Sequence, residues 1–187
     1  MKMKNIVKKT VLVGIGLLVG GFTACVGVDP QGRGYSVVVP MGMINSTLAN
    51  QFPVQEKRTF GTVEIADPSV LGQQGSDKLN IGTSFSFSNM LLPNAIKGSL
   101  KLASGVRFDP KTKNLYLANP MVEELKFQDF SLSKYLTNDM RNSLGLLISE
   151  TIAKRPIYNI KEAGMVGSGL VRGIDVRDGQ VFLTFGL

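Results

Sequence analysis

Apolar and polar residues alternate with a period of two over much of the region from Lys57 to Phe127, a pattern typical of half-buried β-strands. The alternation is clearest over residues 79–88, where large apolar side chains alternate with small polar ones. Similar runs follow at 96–108 and 115–117. The turn sequence Asp109-Pro110 separates them, and Asn119-Pro120 is predicted to end the second run. The intervals between these runs leave no room for crossover helices, so neighbouring strands are predicted to pair antiparallel as a meander.

A spacing of three and four residues predicts two helices. Apolar residues from Met41 to Phe52 predict a short N-terminal helix. A longer apolar stripe runs from Leu132 to Ile152, with Ser131 or Ser133 as its N-cap. At about 22 residues this helix would span roughly 33 Å, enough to lie along a whole sheet. The sequence therefore predicts an α+β fold with a long antiparallel meander and one long helix in the C-terminal half.

The C-terminal part of the chain returns to extended structure. Residues 156–160 have strand character, and the glycine-rich stretch 161–169 is ambiguous. Two further apolar runs, 170–176 and 181–185, flank Asp178-Gly179. Because this dipeptide is favoured in two-residue hairpin turns, these runs are predicted to form a β-hairpin.

The first 25 residues have the layout of a bacterial lipoprotein signal peptide. Four lysines between Lys2 and Lys9 precede the uncharged run 10–21, which is too short for a spanning helix. Phe22-Thr23-Ala24 then precedes Cys25, which is the chain's sole cysteine. This resembles the lipobox of bacterial lipoproteins, in which the cysteine is lipidated, the chain is cut before it and the new amino group is acylated. Phe22 departs from the usual Leu of that pattern.

This interpretation divides the chain into a signal peptide (1–24), the lipidated Cys25 with a flexible tether (25–34) and a single domain (35–187). Two alternatives remain for the N-terminal segment. It could form a buried helix with Cys25 as a core thiol, or it could stay uncut as a membrane anchor. Both alternatives still leave the rest of the chain outside the cytoplasm.

Composition excludes several classes of function. The whole chain has 21 Lys and Arg against 14 Asp and Glu, but four of the lysines lie in the predicted signal peptide, so no nucleic-acid partner is expected. The single cysteine excludes an intramolecular disulfide. The chain contains no histidine, the commonest general base near neutral pH and the commonest zinc ligand. The sequence therefore predicts a protein that is not an enzyme, without catalytic residues, a metal site or a cofactor.

Four segments resemble the YceB-like family of bacterial lipoproteins, and the resemblance covers essentially the whole mature domain. They are Gly98 to Pro110, Leu115 to Pro120, Arg155 to Tyr158 and Asp178 to Leu187. The fold of that family is similar to half of the tubular lipid-binding (TULIP) superfamily. The resemblance implies a strongly curved antiparallel sheet wrapped around one long helix, with a channel for a lipid or another apolar ligand. It brings no catalytic residue.

The leading hypothesis is therefore a membrane-anchored protein that holds an apolar ligand between the helix at 132–153 and the concave sheet. The alternative is a structural or assembly accessory of the cell envelope, which has a filled core and docks on an envelope protein. A hydrolase is the weakest hypothesis, because no pair of base and nucleophile is visible. The candidate wall residues are Leu79, Ile81, Phe85, Phe87, Leu100, Leu102, Leu136, Met140, Leu144 and Leu147.

The expected location is the outer membrane, facing the periplasm. In enteric-type sorting, an Asp after the lipidated cysteine retains a lipoprotein in the inner membrane, and this chain has Val26 there. The membrane, reached through the N-terminal lipid, is the expected partner, with a lipid or other hydrophobic molecule as the expected ligand.

Overall fold

The computed structural model describes residues 26–28, 32, 34–92, 94–128, 134–162 and 170–186. The predicted signal peptide and Cys25 lie outside these residues. Ten strands and two α-helices occur within them. In chain order they are β1 (Val26–Val28), β2 (Tyr35–Val39), α1 (Met41–Ala49), β3 (Val54–Arg58), β4 (Gly61–Gly72), β5 (Leu79–Ser88), β6 (Ile96–Asp109), β7 (Asn114–Phe127), α2 (Asn138–Ala153), β8 (Tyr158–Asn159), β9 (Val171–Arg177) and β10 (Gln180–Phe185).

The strands form two sheets, so the prediction of a single meander is wrong. Strands β3 to β8 follow one another in chain order as a six-stranded antiparallel sheet. The first two and last two strands form a separate four-stranded sheet in the order β1-β2-β10-β9. A hydrogen bond of 3.1 Å between the Ser36 and Thr184 hydroxyls joins its two central strands across 148 positions of sequence. Local periodicity carries no information about such distant pairing.

The predicted helix at 132–153 is also wrong in its length. Helix α2 has 16 residues, about 24 Å, and begins at Asn138. The Thr137 hydroxyl accepts a hydrogen bond of 3.2 Å from the Met140 amide and so caps the helix there. Leu136 fits the apolar stripe by spacing and is buried, but it lies in the turn before the cap. The fold is therefore not a sheet wrapped around one long helix, and the predicted caps Ser131 and Ser133 lie outside the described residues.

Several local predictions are confirmed. Helix α1 occurs where the apolar spacing places it, with Ile44 and Leu48 buried. Strands β9 and β10 form a hairpin around Asp178-Gly179, whose positive φ angles of 52° and 71° suit its tight turn. The prediction that Asn119-Pro120 ends a strand is wrong, because β7 continues through this pair with an interrupted register.

The segment predicted as a flexible tether contains a strand. Val26, Gly27 and Val28 pair with Val37, Ser36 and Tyr35 of β2. This pairing ties the chain to the four-stranded sheet directly after Cys25.

Gly98 on β6 leaves room for an aromatic ring at the inner face of the six-stranded sheet. A Cβ atom added at Gly98 would overlap the Lys126 carbonyl oxygen and the ring of Phe85. Phe85 packs edge-on against Phe127, with 5.8 Å between the ring centroids. The absence of a side chain at Gly98 therefore allows this aromatic pair to form.

We expect Gly98→Ala to lower the free energy of unfolding by about 1–3 kcal/mol, because the methyl group has to displace backbone or ring atoms. Gly105→Ala on the same strand is the matched control. There the nearest atom to an added Cβ is the Ala118 carbonyl oxygen at 3.7 Å, an ordinary contact. This control is expected to change stability by less than about 1 kcal/mol. Urea unfolding followed by circular dichroism measures both, and equal effects of the two substitutions would contradict the packing argument.

Candidate functional site

The structure brings all ten predicted wall residues into one hydrophobic cluster or against it. Nine of them are at most 6% exposed, and Met140 is partly buried at the edge of the cluster. The cluster joins both sheets and both helices. The space between α2 and the six-stranded sheet is thus occupied by buried side chains, which favours the filled core of the alternative hypothesis.

An open cavity of about 680 Å³ lies at one end of the six-stranded sheet, and we call it the end cavity. Its walls come from the β3–β4 turn, the start of the β5–β6 loop and the first turn of α2. Met140 is the predicted wall residue that borders it. Its walls also include Lys57, Arg58, Phe60, Gly61, Met90 and Leu91.

The floor of the end cavity is the edge of the hydrophobic core. Phe60 packs against Phe87 with ring centroids 6.0 Å apart, and Phe87 is 1% exposed. Gly61 has a φ of 148°, and a Cβ added there would fall within 2.6 Å of the Phe87 ring. Glycine at this position thus lets the β3–β4 turn lie directly on Phe87. Phe60 thus gives the cavity an apolar floor, and the buried Phe87 ring lies behind it.

The rim of the end cavity is basic. Lys57 and Arg58 contribute to it, and among the described residues that line the cavity none is acidic. Arg58 makes an ion pair of 3.3 Å with Glu56 and donates a hydrogen bond to the Lys57 carbonyl oxygen. An apolar floor with positive charge at its edge suits an amphipathic ligand with an anionic head.

Helix α2 is held against the sheet near the end cavity by Arg141. Its guanidinium lies 5.1 Å from the ring centroid of Phe127, and its Nε donates a 3.2 Å hydrogen bond to the Leu136 carbonyl oxygen. A second cavity of about 400 Å³ lies beside the same part of the helix, between Val122 and Leu146. The N-terminal half of α2 therefore borders two cavities, and its packing on the sheet is less complete there than along the buried stripe.

The carboxyl groups with shifted pKa values serve local structure. Hydrogen bonds from Lys126 and then Lys101 lower the pKa of Glu124, with N–O distances of 2.6 and 3.0 Å. Hydrogen bonds from the Lys111 amide and then the Thr112 hydroxyl lower the pKa of Asp109 in the β6–β7 turn. Neither carboxyl group borders the end cavity.

The described part of the chain contains neither a candidate metal cluster nor a membrane-spanning helix. No cluster of three or more histidine, cysteine or acidic side chains suited to a metal ion occurs among those residues. Within the same residues, neither helix is long and apolar enough to cross a bilayer.

Apart from Met140, the residues named here as lining the end cavity were not predicted from the sequence. The basic pair Lys57-Arg58 lies in a strand without a clear apolar face. Met90 and Leu91 stand in the loop between two strongly alternating strands. Their signal was the run of three large apolar residues at 90–92 in a segment that should otherwise be a polar turn.

The fold and the site together define an α+β domain of two antiparallel sheets with an apolar, basic-rimmed cavity at one end. The chain belongs to the family described as "Protein of unknown function (DUF1439)", whose sequence profile matches residues 42–179. The matched region runs from α1 to the β9–β10 turn and includes every residue of the end cavity named above. No curated protein sequence matches the chain significantly.

Proposed function

We propose that the protein is a lipoprotein of the YceB-like kind, anchored through lipid on Cys25, whose domain binds a lipid or another amphipathic apolar ligand at the end cavity. The proposed location is the outer membrane, facing the periplasm. The observation that carries the proposal is the combination of the apolar Phe60 floor with the Lys57-Arg58 rim.

The size and chemistry of the end cavity support this ligand class. Ligand cavities usually measure about 300–1,000 Å³, and the end cavity at about 680 Å³ lies within that range. Burial of alkyl groups contributes about 0.8 kcal/mol per methylene, so a short part of an acyl chain on the apolar floor suffices for useful affinity. The basic rim adds a place for a phosphate or carboxylate head.

The pairing of β1 supports local action at one membrane. Because Val26 already pairs with Val37, no free linker follows Cys25 before the four-stranded sheet. A lipid on Cys25 would therefore hold that sheet close to the bilayer. This arrangement suits capture or handover of a ligand at one membrane surface better than transport across the envelope.

The ligand proposal predicts that apolar molecules co-purify with the protein and that Met140→Glu removes them. Replacement of the Met140 side chain by a carboxylate removes apolar contact and adds a charge to the wall, so we expect about tenfold or greater loss of affinity. Ser143→Glu adds the same charge at an exposed position of α2 outside the cavity and is the matched control. Native mass spectrometry and organic extraction, after purification from cells and exchange of detergent, measure the bound molecules.

The control is expected to retain the ligand of the wild-type protein. Absence of any co-purifying apolar molecule from the wild type, together with no binding of added fatty acid or phospholipid, would contradict the ligand proposal. Equal ligand loss in both variants would contradict the assignment to the end cavity.

A structural or assembly accessory is the second candidate function. It is favoured by the burial of nine of the ten predicted wall residues to 6% exposure or less. On this proposal the protein carries no ligand and is crosslinked in cells to an envelope protein at a fixed stoichiometry.

A further inference from the structure

The tip of the β5–β6 loop presents two large apolar side chains to solvent. Met90 is 103% and Leu91 91% exposed, the highest values among the large hydrophobic residues of the described chain. They are adjacent in sequence and both border the end cavity. Single exposed apolar side chains are common on protein surfaces, but two fully exposed neighbours at a tip require an explanation.

The loop is built so that these two side chains project. The Asn89 side chain accepts a hydrogen bond of 2.9 Å from the Leu91 amide, and the Asn89 carbonyl oxygen accepts one of 3.3 Å from the Leu92 amide. Leu92 packs against the hydrophobic core. The turn is therefore held at both ends, and Met90 and Leu91 are the residues left outside.

Basic residues flank this apolar tip. Lys57 and Arg58 line the same cavity as Met90 and Leu91, and no acidic residue is among the described lining. Glu56 forms an ion pair with Arg58, whereas the Lys57 side chain is exposed and contributes its charge to this surface. Apolar side chains beside cations match the boundary of an anionic bilayer, where acyl chains lie below a layer of phosphates.

We propose that this end of the domain docks on an anionic phospholipid bilayer, with Met90 and Leu91 below the head groups and Lys57 and Arg58 against the phosphates. A bilayer fits better than a protein partner, because two protruding side chains offer far less surface than the roughly 1,200–2,000 Å² of a stable protein interface. Docking would place the opening of the end cavity at the membrane surface. It deepens the proposed function by making the bilayer the source of the ligand.

Tryptophan fluorescence tests this docking, because the chain contains no tryptophan and each one introduced is a unique reporter. Leu91→Trp places the reporter at the tip. Leu71→Trp is the matched control, since Leu71 is also exposed (64%) but lies at the opposite end of β4 from the end cavity. The full lipidated protein is reconstituted into vesicles of phosphatidylethanolamine and phosphatidylglycerol, with or without bromine on the acyl chains.

Leu91→Trp is expected to show blue-shifted emission and quenching by the brominated acyl chains, and Leu71→Trp to show neither. Each basic residue near an anionic surface strengthens membrane binding by about fivefold. Adding Lys57→Gln and Arg58→Gln to the Leu91→Trp protein is therefore expected to lower the ratio of docked to undocked protein by about 25-fold. Vesicles without phosphatidylglycerol should weaken docking in the same direction.

The docking proposal would be overturned if Leu91→Trp showed unquenched emission, at the wavelength of tryptophan in water, with vesicles that contain phosphatidylglycerol. Equal quenching of Leu91→Trp and Leu71→Trp would also overturn it. Circular dichroism checks that each variant is folded. Extraction of the same preparations measures bound ligand separately. A bound ligand together with unquenched Leu91→Trp emission would contradict docking but support the proposed ligand binding. Quenched Leu91→Trp emission without any bound ligand would support docking but contradict ligand binding.

Discussion

Leu100→Ala is expected to lower the free energy of unfolding by about 2–5 kcal/mol, because it removes a fully buried side chain and leaves a cavity. Leu100 is 0% exposed and points from β6 into the cluster that α2 covers. The sequence predicted Leu100 as a wall of a ligand groove, whereas the structure places it in the hydrophobic core. Substitution has a different effect in each case. A residue of a packed core determines stability, whereas a residue that lines an open groove mainly determines ligand affinity. Urea unfolding measures the loss.

Leu71→Ala provides the control for this prediction. The Leu71 side chain is 64% exposed, so its truncation is expected to change stability by no more than about 0.5 kcal/mol. If Leu100→Ala were as mild as Leu71→Ala and abolished ligand binding, Leu100 would line a groove and the core would not be filled.

Cys25→Ser is expected to abolish lipidation and cleavage completely, since the hydroxyl group is a far weaker nucleophile than the thiol and thioether formation is the first step of processing in the lipoprotein pattern. The wild type should have a mature N-terminus at Cys25 carrying the mass of its acyl chains, while Cys25→Ser keeps residues 1–24. Intact-mass spectrometry and labelling of cells with palmitate measure this difference.

Phe22→Leu is the companion variant, because it supplies the residue usual at that position of the lipobox. It should be processed at least as completely as the wild type. An uncut wild-type chain with an unmodified Cys25 would contradict the lipoprotein proposal and leave an uncleaved membrane anchor or a buried helix as the remaining interpretations.

The strands of the six-stranded sheet were predictable because their signal is local. In β5, Leu79, Ile81, Phe85 and Phe87 are all buried, and they alternate with small polar residues on the other face. Period-two burial of this kind needs no knowledge of distant residues. The hairpin at Asp178-Gly179 was predictable for the same reason, since the two residues that determine the turn are adjacent.

The limits of α2 were less predictable, because several hydroxyl side chains compete as caps. Ser131, Ser133 and Thr137 all lie near the start of the apolar stripe, and spacing alone does not rank them. In the structure the Thr137 hydroxyl bonds to the Met140 amide, and the helix starts there. Leu136 reaches the core from outside the helix. The apolar stripe therefore predicted its burial correctly but its secondary structure wrongly.

By itself, the sequence determined most of the strand and turn pattern of the six-stranded sheet, the position of α1 and the buried face of β5. Each of these depends on residues a few positions apart. Only the tertiary structure decided that β1, β2, β9 and β10 form their own sheet, with β2 against β10, and that the predicted wall residues are buried together beside α2. It also decided that Lys57 and Arg58 share a cavity with Met90, Leu91 and Met140. These contacts join segments far apart in the chain, and their free energy depends on packing and distance that no local period encodes.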